Sequence, residues 1–266
     1  YRSRVATSDG NLQWLLPDSK ELNGLAAELG LPARFRAVSA IDSTQDYFRR
    51  LPAAELSDGQ TLVADFQSGG HGRLDRTWSA PAGSSLLMST VLAAPEQLPT
   101  LPLAVGLAVV DVLRESVPQI ALKWPNDIVV PVADAEPFKL GGIVIALVNG
   151  FAIAGIGVNL DLPATDRPTA VARSVADFAG AVPARNELAV RLVAALHARL
   201  SAPETWLSGY RRHCSTLGQQ VVAALPGDQL LRGTALDVGA DGSLVLLTAE
   251  GRQSIRSADV LHVRRN

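Results

Sequence analysis

The chain has 266 residues, 47% hydrophobic and 19% charged, with 24 Lys plus Arg against 26 Asp plus Glu and a formal net charge of −2. That near balance excludes the strongly basic surface that nonspecific nucleic-acid binding demands, and the apolar content excludes a disordered chain. The single cysteine, Cys214, excludes an internal disulfide and points to a reducing compartment.

In chain order, the polar start Tyr1-Arg2-Ser3-Arg4 lacks an apolar signal core, and Ser19–Leu29 reads as a helix closed by Gly30 and Pro32. Phe35–Ile41 reads as a strand, Asp42–Phe48 as a helix start, and Leu62–Phe66 as a second strand. Ser85–Leu92 is a further strand and Leu101–Val117 an apolar helix. Ile120–Trp124 and Ile128–Val130 read as strands on either side of a Pro-Asn-Asp turn. Gly142–Val148 and Phe151–Leu160 flank Asn149-Gly150, the signature of a type I′ hairpin. Asn186–Leu200 has a helical apolar face, and a second helix carries Trp206 and Tyr210. From about residue 217, short strands separated by Pro226-Gly227-Asp228, Asp241-Gly242 and Glu250-Gly251 suggest a small β-barrel. No apolar run reaches the ~18 residues of a membrane span, so the chain reads as a cytoplasmic protein.

Four segments carry chemistry. Gln67-Ser68-Gly69-Gly70-His71-Gly72-Arg73-Leu74-Asp75-Arg76-Thr77-Trp78 follows a strand, and its glycines allow close backbone approach while His71, Arg73 and Arg76 suit an anion. It is neither a Walker loop nor a dinucleotide fingerprint, and its plain structural alternative is a solvated, mobile loop. Only three lysines occur, Lys20, Lys123 and Lys139. In Ile120–Trp124, alternation puts Lys123 with Ala121 on the face opposite Leu122 and Trp124, where it could line an anion pocket or snorkel from an edge strand. Ser43 with Asp46 resembles a capping box, compatible with a helix N-terminus that offers hydroxyls to a ligand. Gly155-Ile156-Gly157-Val158-Asn159 lets something pack flat on a strand backbone, and Lys139-Leu140-Gly141-Gly142 is a turn or a ligand contact. Cys214 has no evident partner set and reads as incidental.

In this order the segments resemble the biotin protein ligases. That family runs Ser-Thr-Asn, a Gln before a Gly-Arg-Gly-Arg-x-Gly-Arg loop, Lys-Trp-Pro-Asn-Asp, Lys-Leu-x-Gly-Ile and Gly-x-Gly-x-Asn. Here stand Ser43-Thr44-Gln45, Gln67 with Gly70–Arg76, Lys123–Asp127, Lys139–Ile143 and Gly155–Asn159. Gln45 replaces Asn, His71 replaces the first loop Arg, Asp75 replaces Gly, and Ala146 stands where many members have Glu.

The resemblance implies an α+β fold with a mixed-sheet core of the biotin/lipoate ligase type and a C-terminal SH3-like barrel. Its divisions are an extension over 1–34, a biotin- and ATP-binding domain over 35–215, and the barrel over 216–266. It implies ATP-dependent activation of biotin to biotinyl-5′-AMP, then transfer to a lysine of the carrier domain of an acyl-CoA carboxylase, with Mg2+ accompanying ATP on ligands the sequence does not identify. Lys123 and Arg73 are implied as catalytic. Ser43, Thr44, Gln45, Gln67, His71, Gly72, Arg73 and Lys123 are implied at biotin, and Arg73, Lys123, Asn126 and Asn159 at the nucleotide, under a lid formed by the glycine-rich loop.

A lipoate–protein ligase is the alternative, but Ser43, Thr44 and Gln67 suit a ureido ring better. The absence of a cysteine in the motif region disfavours the acyl-enzyme route of the related octanoyltransferases. No winged helix is expected before residue 34, so specific DNA binding is not expected, nor is membrane association; a weak homodimer is compatible with the sequence.

Overall fold

Asp18 opens the first helix, α1 (Ser19–Glu28), by accepting the backbone N–H of Glu21 at 2.7 Å. Gly30, at φ +64°, ends it as the sequence predicts. The computed structural model describes residues 4–6, 12–14, 16–74, 76–93, 99–225, 227, 229–256 and 258–263. Tyr1, Arg2, Ser3, Asp75, Pro226 and Asp228 of the segments above lie outside the described residues. Before α1, β1 (Arg4–Ala6) and β2 (Leu12–Trp14) form an antiparallel pair.

The core follows the expected order. β3 (Arg34–Ile41) leads to α2 (Thr44–Arg49) and β4 (Gln60–Gln67). A two-stranded ribbon of β5 (Gly70–His71) and β6 (Thr77–Trp78) precedes β7 (Ser85–Leu92) and α3 (Leu101–Leu113). Then come β8 (Ala121–Lys123), β9 (Asp127–Val130), β10 (Phe138–Val148) and β11 (Phe151–Asn159). The main sheet has the order β3-β4-β7-β11-β10-β9-β8, with β3 and β4 parallel and every other pair antiparallel. Asn149 and Gly150 both have positive φ, +50° and +84°, as the type I′ turn between β10 and β11 requires.

α3, α4 (Arg185–Leu200) and α1 cover one face of the sheet, where Leu22, Leu107, Leu122, Ile143 and Leu192 share one apolar core. On the other face, α2 packs Phe48 against Leu62, Val91 and Ile153 and leaves the rest of that face open for a site. α5 (Trp206–His213) leads back to β8, where Ser215 N–H donates to Leu122 O at 2.8 Å. No helix among the described residues is long and apolar enough to cross a membrane.

The C-terminal strands are β12 (Gln220–Ala224), β13 (Leu230–Val238), β14 (Leu244–Thr248), β15 (Gly251–Ile255) and β16 (Asp259–His262). They form the expected all-β unit as an antiparallel sheet of order β15-β14-β13-β12-β16. β16, too short to announce itself in the sequence, pairs with β12, and among the described residues no ladder closes it onto β15. The expected small β unit is thus present as a five-stranded antiparallel sheet, with no closure into a barrel among the described residues. Its buried Val221, Ala235, Leu246 and Val260 join the same core as Leu122 and Trp124, and the Trp124 indole donates to Gly242 O at 2.9 Å.

Candidate active site

Sheet register builds the floor. Lys123, Asp127, Gly142, Gly157 and Leu87 stand opposite one another across β8, β9, β10, β11 and β7, so they share a face. Lys123 is thus on the pocket face, as alternation predicts; it is 8% exposed and does not snorkel. A bulge at Leu140 breaks the register of β10 against β9 and sets Lys139 opposite Val129. That extra residue returns Lys139 to the face of Asp127, whose carboxylate it meets at 2.6 Å.

One end of the floor is the start of α2. Ser43 Oγ accepts from the N–H groups of Gln45 (3.2 Å) and Asp46 (3.3 Å), as a cap should. The reciprocal half of the capping box is absent: Ser43 N–H goes to Asp42 at 2.8 Å, and Asp46 faces His71 instead, 2.6 Å from its Nε2. Gln67 Oε1 accepts from both Thr44 N–H (2.7 Å) and Thr44 Oγ1 (2.9 Å), and Thr44 Oγ1 lies 2.8 Å from Ser89 Oγ. Gln45 is buried; its amide nitrogen donates to Val144 O and Ile153 O at 3.1 and 3.2 Å, and its oxygen accepts from Arg49. This side chain ties α2 to β10 and β11.

The glycine-rich loop is a tied-down hairpin, although His71, Leu74, Arg76 and Thr77 remain exposed on it. β5 pairs with β6, and Gly72 N–H donates to Arg76 O at 2.6 Å. Gly70 is needed because a β-carbon there would lie 2.6 Å from Trp78 O. The hairpin is tied at three places: His71 to Asp46, Arg73 to Asn126 Oδ1 (3.3 Å) and Ala258 O (3.4 Å), and Arg76 to Asp259 in β16. Burial lowers the pKa of the Arg73 guanidinium from its usual value, while the charges of Asp259 and Asp127 oppose that loss.

Lys123 forms an ion pair with Glu136, from the segment joining β9 to β10, and the second Glu136 oxygen accepts the backbone N–H of His262 in β16 at 2.9 Å. Burial, and then the Lys123 charge, hold the His262 imidazole below its usual pKa; Glu136 opposes them. Asn126 donates to Ile143 O at 2.8 Å. Asn159 is tied by Ser85 Oγ (3.3 Å) and by donation to Arg173 O (2.9 Å). Cys214 lies on the helix side of the sheet, where burial pushes its thiol up, against the lowered pKa of a nucleophile.

Ser43, Thr44, Gln45, Gln67, His71, Gly72, Arg73, Lys123, Asn126 and Asn159 all line one cleft of about 530 Å³. Trp78, Lys139, Asp127 and Asp259 also line it. The motifs do not assign these four a contact, except that Lys139 reads there as either a turn or a ligand contact. The Trp78 indole N–H is buried without a hydrogen-bond partner. Among the described residues no cluster of three His, Cys, Asp or Glu could cage a metal, and each carboxylate near the cleft already faces a cation: Asp46 with Arg49, Asp127 with Lys139, Glu136 with Lys123, Asp259 with Arg76.

The Biotin/lipoate A/B protein ligase family model matches residues 37–162, and that of the Biotin protein ligase C terminal domain matches 216–263. The biotin–[acetyl-CoA-carboxylase] ligase of Mycobacterium tuberculosis is 34% identical over 234 residues, 82% of this chain and 85% of the relative. The chain belongs to the biotin protein ligase family. The bifunctional ligase/repressor BirA of Salmonella typhimurium is 30% identical, over 77% of this chain and 67% of its own length. Among solved structures, the biotin protein ligase of Aquifex aeolicus in complex with biotin and ATP superposes with a TM-score of 0.70 at 26% identity, covering 87% of this chain and 99% of that one. A point mutant of the same Aquifex aeolicus enzyme in complex with biotin gives 0.69 at 27% identity, covering 86% and 97%. The two family matches fall on the main sheet and on the C-terminal sheet, the two units whose strands enclose the cleft.

Proposed function

We propose that this chain joins biotin to ATP, forming biotinyl-5′-AMP and pyrophosphate, and then passes the biotinyl group to a lysine of a carrier domain of an acyl-CoA carboxylase. The observation that carries this reading is the meeting of two cations, the buried Lys123 and the partly buried Arg73, with the neutral shelf of Ser43, Thr44 and Gln67 in one cleft. The shelf matches a ureido ring, which presents both donors and an acceptor. Membership of the family supports the same substrates, as do the biotin and ATP held by the similar Aquifex aeolicus ligase.

In the first step a biotin carboxylate oxygen attacks the α-phosphorus, and the bond to the bridging oxygen of pyrophosphate breaks. Both reactants are anions, so their approach and the charge that grows on the phosphate need fixed positive groups. Lys123 supplies one from a buried position and Arg73 another from a partly buried one, where such preorganised charge is worth more than in open water. In the second step the carrier amine attacks the acyl carbon, loses a proton and expels AMP.

Gln45, His71 and Gly72 shape the biotin end from behind and above, Gln45 by holding strands and His71 by holding the hairpin. Asn126 orients Arg73, and Asn159 closes the nucleotide end of the floor. The hairpin keeps water from the anhydride. The paired carboxylates do not suit a resident metal, so magnesium is expected to arrive with the triphosphate as part of the substrate. Residues 35–215 are the proposed catalytic unit and 216–266 the domain that walls the cleft; a reduced Cys214 and a need for ATP support a cytoplasmic location.

Calorimetry with biotin and with lipoate, each with and without ATP, tests the assignment. Biotin alone is expected to bind, ATP to be consumed only with biotin, and lipoate to give no heat. Binding and adenylation of lipoate in preference to biotin would refute it.

A further inference from the structure

Glu136 belongs to none of the motifs, yet it holds Lys123 with one carboxylate oxygen and the His262 N–H with the other. The Lys123 side chain is 10% exposed and that of Glu136 is 25% exposed. A buried ammonium needs a counter-charge, because desolvation without one is expensive. Glu136 provides that charge. The proposed reaction brings a carboxylate and then a phosphate to the same ammonium that Glu136 already occupies. Of the other cations of the cleft, Lys139 is taken by Asp127 and Arg76 by Asp259, while Arg73 is held by Asn126 and Ala258 O.

We propose that Glu136 is a resident counter-ion that the incoming biotin carboxylate displaces from Lys123, so that it sets the affinity of the cleft for anions. This inference rests on the proposed function. Glu136 is a positioning residue, since it acts through Lys123 and touches no reacting atom.

Glu136→Gln tests this, because an amide oxygen still accepts the His262 N–H while the charge is gone. Calorimetry on the full chain would compare biotin with biotinamide, whose side chain ends in a neutral amide. The variant is expected to bind biotin about tenfold more tightly than the wild type, the scale of one partly buried ion pair, and biotinamide no differently. Glu136→Asp is expected to restore wild-type affinity. Glu136→Ala, which gives up both bonds, tightens biotin to the same extent if competition is the cause, and gives a second measurement should the Gln variant fold poorly. Biotin affinity that is unchanged or weakened in the folded variants, with the wild type still binding biotin, would overturn the role of Glu136. A wild type that binds no biotin would overturn the function itself.

Discussion

The indole of Trp78 lies directly on the backbone of Gly157, where a β-carbon would come within 2.8 Å of ring atom Cε2. Gly142, beside it on β10, leaves a further opening, with its own β-carbon position 3.4 Å from the same ring. The pairing of a small strand residue with an aromatic lid residue fixes the height of the cleft roof. Gly157 lies two residues before Asn159 on β11, at the end of the floor proposed for the nucleotide, and Gly157→Ala is expected to push Trp78 off the strand there, at about 1–3 kcal/mol of overpacking. The KM for ATP is expected to rise roughly tenfold while biotin affinity changes little, because 1.4 kcal/mol corresponds to about a factor of ten. Initial rates with each substrate varied in turn check this; an equal rise in both values would contradict the placement of Trp78 at the nucleotide end.

Lys123→Ala removes the ammonium that the floor of the sheet presents to the cleft. Pyrophosphate release is expected to fall by about a hundred- to a thousandfold, the usual effect of losing one preorganised charge donor. The thermal midpoint is expected to stay close to that of the wild type, since Glu136, a quarter exposed, can turn to water. Pyrophosphate release at the wild-type rate would remove Lys123 from the mechanism.

Arg73→Gly takes away the side chain that joins the hairpin to Asn126 and Ala258. The adenylate is expected to leave the cleft before transfer and to label bystander lysines. A streptavidin blot of enzyme, carrier domain and an unrelated protein reads this directly. Label confined to the carrier domain would show that Arg73 does not retain the intermediate.

Asp65 and Arg185 form an ion pair with side chains 9% and 2% exposed, and Arg185 also donates to Gly83 O at 2.7 Å. The pair fastens the N-terminal end of α4 beneath the turn that precedes β7. Asp65→Ala leaves the guanidinium buried without its counter-charge and is expected to destabilise the fold by about 3–5 kcal/mol. Urea unfolding measures the loss. The double substitution Asp65→Leu, Arg185→Met is expected to recover most of it, and equal destabilisation in both would mean that shape rather than charge is the cause.

Much of this site is legible in the amino-acid string. Ser43 announces itself as a cap, Lys123 is placed by strand alternation, and the pocket glycines mark a floor against which something packs flat. The other parts depend on pairings that no local pattern carries. Lys139 reaches the cleft face only because a bulge at Leu140 reverses the alternation of β10. Glu136 and Asp259 come from a connecting segment and a four-residue strand, and acquire meaning only when the C-terminal sheet folds back beside β8. Gln45 departs from the Asn of the motif, and its amide nitrogen is engaged by Val144 O and Ile153 O, a strand-holding role that no local pattern announces. Trp78 ends the glycine-rich segment, but indole type alone does not separate a cleft wall from core.

The bond between Arg76 and Asp259 gives the roof hairpin an anchor outside the sheet that bears the floor. A displacement of β16 is therefore passed to the canopy through the Arg76 guanidinium and not through the strands beneath it.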